Sequence, residues 1–115
     1  MTRRARRKRA AKRRAGLLRE WEQVYNDAKA ITPLDSPPEE REMAGVNAAA
    51  GYMDAKSRDC PQEAHMYREA AGVFARERAA WFRDRYGAEA TRRLGVLMAQ
   101  QRSDQAFVEF ALSPK

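Results

Sequence analysis

From Leu17 onward, apolar residues recur at Trp21, Val24, Ala28 and Ile31, with spacings of 4, 3, 4 and 3. That rhythm holds one stripe on one side of a 3.6-residue helix. It predicts a helix running to about Ala30. Thr32-Pro33 ends it, because the residue before a proline is pushed out of the α region. A second stripe, Met43, Val46, Ala50 and Met53, repeats at 3-4-3 spacing. Ser36 reads as its N-cap and Pro37 as its first helical residue. Glu39, Glu40 and Glu42 then read as carboxylates near the positive end of the helix dipole.

The second helix fades near Ser57. Asp59 or Cys60 caps a third, with Pro61 and Glu63 in its first turn. Its stripe runs through Tyr67, Ala70, Ala71, Phe74, Trp81 and Phe82, and Tyr86-Gly87 supplies a glycine stop. A fourth helix, about Ala88 to Gln101, presents Ala90, Leu94, Leu97 and Met98. Ser103 caps a short last helix that carries Phe107, Phe110 and Leu112 inward until Ser113-Pro114. No segment alternates and β-branched residues are few, so strands are not expected. The pattern predicts an all-α fold, a small bundle of four to five helices. Ala44-Gly45-Val46 and Ala71-Gly72-Val73 share a tripeptide 27 residues apart, but their flanks differ and no tetratricopeptide pattern runs through them.

Charge changes the picture at the N-terminus. The first nineteen residues hold ten basic side chains and no acidic one: Arg3, Arg4, Arg6, Arg7, Lys8, Arg9, Lys12, Arg13, Arg14 and Arg19. The chain therefore divides into an arm of +10 at residues 1–19 and a helical domain of −3 at residues 20–115, for a net charge of +7. A block this one-sided repels itself and has little to bury, so it calls for a polyanion, most simply nucleic acid. The excess of eighteen Arg over five Lys accompanies twenty-two Ala and matches GC-rich codon usage. Codon bias does not gather ten charges into nineteen residues.

Ala5, Ala10, Ala11 and Ala15 favour a helix through the arm, continuous with the first body helix. Like charges one turn apart, and positive charge at the positive end of the dipole, oppose it. The arm is therefore expected to be partly disordered alone and to order on phosphate. Its cations surround the helix on all sides, which suits a deep groove or a wrapped strand better than a flat membrane. A short stripe of about two heptads before Pro33 excludes a leucine zipper. TRRARRKRAAKRR resembles the arginine-rich arms of phage antitermination proteins and some viral RNA-binding proteins. Those arms enter widened RNA major grooves as helices. The resemblance covers about a dozen residues and none of the body, and DNA-binding tails and nuclear-localisation signals share the composition.

The remaining candidates for chemistry are sparse. His65 is the only histidine and Cys60 the only cysteine, too few for a zinc site. His65 and Glu69 lie one turn apart and suit a surface pair. A Cys60–His65 nucleophile and base lack an orienting partner. The Tyr86-Gly87-Ala88-Glu89 turn followed by Thr91-Arg92-Arg93 is the best candidate for a second basic surface. Trp21, Trp81, Phe82 and Tyr86 stand at core spacing, with base stacking as the functional alternative. Glu39, Glu40 and Glu42 could instead dock the arm internally. No phosphate loop, nucleophile elbow, dinucleotide fingerprint, zinc finger or RNP pattern occurs.

The expected function is therefore non-enzymatic and independent of cofactor or metal: DNA or RNA bound through the phosphate backbone by the ten arm residues. A protein partner or a second copy would engage the helical body. The alternative is an assembly or adaptor protein of phage or plasmid type, with the arm as an electrostatic tether. No apolar run reaches membrane-spanning length, and the arm lacks the apolar core of a secretory signal. The expected location is the cytoplasm, associated with nucleoid or RNA.

Overall fold

A computed structural model describes residues 2–101 and 105–113. Five α-helices follow one another: α1 (Arg3–Ala30), α2 (Pro38–Asp59), α3 (Ala64–Tyr86), α4 (Ala88–Gln100) and α5 (Gln105–Ala111). A 3-10 turn at Pro61–Glu63 leads into α3, and no strand occurs among the described residues. The all-α bundle that the periodicity predicts is the fold observed. The expected Ser103 cap and the Pro114 stop lie outside the described residues.

α1 and α2 pack along each other, and α3 lies at the centre, touching α1, α2, α4 and α5. Trp21 and Tyr25 on α1 stack with ring centroids 5.4 Å apart, and Phe74 of α3 meets Trp21 edge-on at 6.2 Å. Val46, Ala49 and Met53 of α2, Ala75, Ala79 and Phe82 of α3, Leu94 and Met98 of α4, and Phe107 and Val108 of α5 complete the core. Two glycines are required by geometry. Gly87, the only residue between α3 and α4, sits at φ 92° and ψ 166°, a region essentially reserved for glycine. A Cβ on Gly45 would fall 2.6 Å from the Tyr25 ring, so Gly45 is what lets α2 lie against that ring.

Several stripes are rotated from their predicted faces. α2 begins one residue later than expected: Pro37 is the N-cap, Pro38 the first helical residue, and Ser36 forms no cap hydrogen bond. Its buried row is Glu42, Val46, Ala49, Met53 and Ser57, while Met43 and Ala50 are half-buried at its edges. Glu42 is thus a core residue, 1 % exposed, not a solvated partner of the helix dipole. Ile31 is expected to face inward, yet at the C-cap of α1 it is exposed. Tyr25 takes the buried place instead. Trp81 and Leu112 also lie exposed at the edges of their rows.

Candidate nucleic-acid interface

The arm is the first half of α1. Thr2 caps it, its Oγ1 accepting from the Ala5 backbone N–H at 3.1 Å. The helix then continues unbroken through Gly16 into the packed segment, where Leu17 is the first buried residue. Packing therefore begins inside the stretch that charge alone assigns to the arm. All ten cations, Arg3 to Arg19, are exposed. Arg14 lies 3.6 Å from Glu77 of α3. That pair is exposed on both sides and contributes little. Among the described residues, no carboxylate lies within ion-pairing distance of the other nine.

The overhang is defined by where α3 begins to support the arm. Ala10, Arg13, Arg14 and Leu17 line one side of a groove whose other side carries His65, Met66 and Val73. Arg13 Nη1 reaches Met66 Sδ at 3.7 Å there. Ahead of Ala10, residues 3–9 project beyond the bundle by about 10 Å at the α-helical rise, contributing to a longest dimension of 50 Å. No acidic side chain stands in the first turn to offset the helix dipole, so the field of the arm is undiluted where it projects.

The other candidates disperse. Glu39 is held by Arg93 Nη2 at 3.1 Å and Glu42 is buried elsewhere; among the described residues no ion pair joins Glu39, Glu40 or Glu42 to an arm cation. Arg93 is shared between Glu39 and Glu89. Thr91 is buried, its hydroxyl donating to the Gly87 carbonyl at 2.8 Å. At the Gly87 turn Arg92 and Arg93 are both exposed, and Arg93 is already paired with two carboxylates. His65 and Glu69 form the one-turn pair that their spacing predicts, at 3.3 Å. Trp21 and Phe82 are core, whereas Trp81 and Tyr86 are exposed. Among the described residues no three His, Cys, Asp or Glu side chains converge for a metal, and no helix is long and apolar enough to cross a membrane.

One constellation escapes sequence reading. The buried Glu42 carboxylate accepts a short hydrogen bond from the Tyr25 hydroxyl, one from Arg78 Nε at 3.0 Å and one from Lys29 Nζ at 3.4 Å. The Arg78 guanidinium lies 4.3 Å from the Tyr25 ring centroid and 3.7 Å from that of Trp81. Burial, then the neighbouring carboxylate, pushes the Tyr25 phenol far above its ordinary range. The signal was present: positions 42, 46, 49 and 53 form a 4-3-4 row, with an acidic residue where an apolar one belongs.

No protein-family description, curated protein or solved structure matches the chain.

Proposed function

We propose that this chain binds nucleic acid through its N-terminal arm, with phosphate contacts supplying most of the affinity. The observation that carries this reading is a projecting helix on which nine of ten cations have no carboxylate partner among the described residues. Unpaired guanidinium groups all round a helix match the two phosphate walls and the floor of a groove. A helix with its side chains is about 10–12 Å across and a B-DNA major groove about 12 Å wide. The arm would order on phosphate, which relieves both the like-charge repulsion and the dipole penalty. Sequence preference would be weak, because phosphate contacts position and do not specify.

The test compares the full chain with a variant carrying Gln at Arg3, Arg4, Arg6, Arg7, Lys8 and Arg9. Both are titrated by fluorescence anisotropy against duplex DNA, single-stranded DNA and structured RNA at several salt concentrations. Partial engagement of the arm predicts a log–log salt slope of roughly −4 to −7 on duplex DNA, shrinking by about 0.9 for each phosphate contact removed. Undiminished affinity and slope in the Gln variant would place the site in the body and overturn the proposal.

A second reading has its own support. Ile31 and Leu34 stand almost fully exposed at the far end of α1 from the arm. Paired exposed apolar residues favour a protein partner held by the body, with the arm as a tether.

A further inference from the structure

The end of α1 opposite the arm carries a surface of different chemistry. Ile31 and Leu34, in the connection between α1 and α2, are 87 % and 85 % exposed, and Trp81 and Tyr86 of α3 also face outward. Trp81 and Tyr86 meet edge to face with centroids 6.2 Å apart. Leu34 and Tyr86 line a pocket of about 140 Å³ together with Lys29, Arg41 and Glu42. Large apolar side chains gathered around one polar depression mark an interaction site more often than a solvated surface.

The charges in the pocket do not balance. Glu42 is the one carboxylate lining it, and its oxygens are already shared by Tyr25, Lys29 and Arg78. Arg78 is bonded to Glu42 through Nε and flanked by the Tyr25 and Trp81 rings. Arg41 donates from Nη2 to the Lys29 carbonyl at 3.3 Å. Its Nε is buried without a hydrogen-bond partner, and no carboxylate lies within ion-pairing distance among the described residues. A buried donor lacking an acceptor is costly, and the Arg41 charge, which lines the pocket without a carboxylate partner, is what an incoming anion would neutralise.

We infer that this pocket and its apolar rim dock a segment of a partner protein that presents one Asp or Glu beside large apolar side chains. The carboxylate enters near Arg41 and Lys29, and the apolar residues cover Leu34, Tyr86 and Trp81. Charge complementarity selects this occupant over a nucleic acid. Asp35 follows Leu34 and Glu40 precedes Arg41, both exposed, so a polyanion would meet carboxylates around the pocket while a single acid in an apolar segment would not. This inference rests on the reading that the body holds a protein partner, and is independent of what the arm binds.

The experiment pans a library of random short peptides against the full chain carrying the six Gln substitutions in its arm, which removes non-specific attraction of acids. Selected peptides are then measured by anisotropy. The expected consensus is Asp or Glu adjacent to Leu, Phe or Trp. Changing that acid to its amide should weaken binding by about tenfold, the scale of a hydrogen bond to a charged group. Leu34→Ser and Arg41→Gln should each weaken it at least about fivefold, with circular dichroism confirming an unchanged fold. Peptides that bind both variants undiminished would overturn the pocket assignment while leaving a partner site elsewhere on the body. Failure to select any peptide would overturn both. Loss of nucleic-acid affinity in Leu34→Ser would reassign the surface to nucleic acid. A change in its sedimentation would reassign it to a second copy of the chain.

Discussion

Glu42 serves as acceptor for three donors at once, so removing it strands a phenol and two cations against the core. Glu42→Ala should destabilise the fold by about 3 kcal/mol in denaturant unfolding, the scale for breaking a buried pair from one side. Glu40→Ala, exposed and in the first turn of α2, should change stability by less than about 0.5 kcal/mol. Tyr25 adds a pH signature. Its folded-state pKa is raised above the unfolded value of about 10, so the folded protein holds a proton that the unfolded chain gives up. The stabilisation is complete below that unfolded value and declines as pH rises beyond it. Melting temperature should therefore fall on the alkaline side of about pH 10. Tyr25→Phe should be less stable at neutral pH and show a shallower alkaline fall. An equal fall in both proteins would count against Tyr25 as its source.

At the scale of the element, α1 combines two segments with opposite requirements. Its second half is stabilised by Leu17, Trp21 and Tyr25 against the bundle, whereas its first half has helix-forming alanines and a Thr2 cap to set against crowded positive charge. Helix formation in that half should respond to counter-charge. Far-ultraviolet circular dichroism at low salt should show a gain of helix when short duplex DNA is added to the full chain. The six-Gln arm variant should show a smaller gain or none. An identical gain in both would mean that the ordering lies in the body. The periodicity rules located every helix because Pro33, Pro37, Pro61 and Gly87 punctuate the chain physically. They misjudged helix faces wherever a polar side chain took a core position. A stripe drawn through apolar residues alone passes over Glu42, and with it the true inward row of α2.

For the whole molecule, the arm was legible because charge density needs no tertiary structure to be read. The pocket at the other end was not. It depends on Lys29 from α1, Arg41 and Glu42 from α2 and Tyr86 from α3 meeting at one place, residues up to 57 positions apart. Nothing in local spacing announces such a meeting. Exposure of Ile31 was equally hidden, since the periodicity places it on the packed stripe although it stands at the C-cap of α1. The two surfaces also differ in how they should answer to salt. Binding through the arm, as proposed, should fall steeply through counterion release, while docking dominated by apolar contact should vary little over the same range.

The unbroken run of α1 from Arg3 to Ala30 has a mechanical consequence. A basic tail joined by a flexible linker would let its cargo swing freely around the polymer that it grips. In the proposed binding mode the helix that enters a groove would be the same helix that lies in the bundle, so the axis of the groove would fix the bearing of the domain. Its 28 residues span about 42 Å at the α-helical rise, a lever arm that sets how far out, and at which rotational phase, anything carried at the other end is held. Lengthening the helix by one residue between Arg14 and Leu17 would turn that cargo by about 100°. A spacer of whole turns would change only its reach.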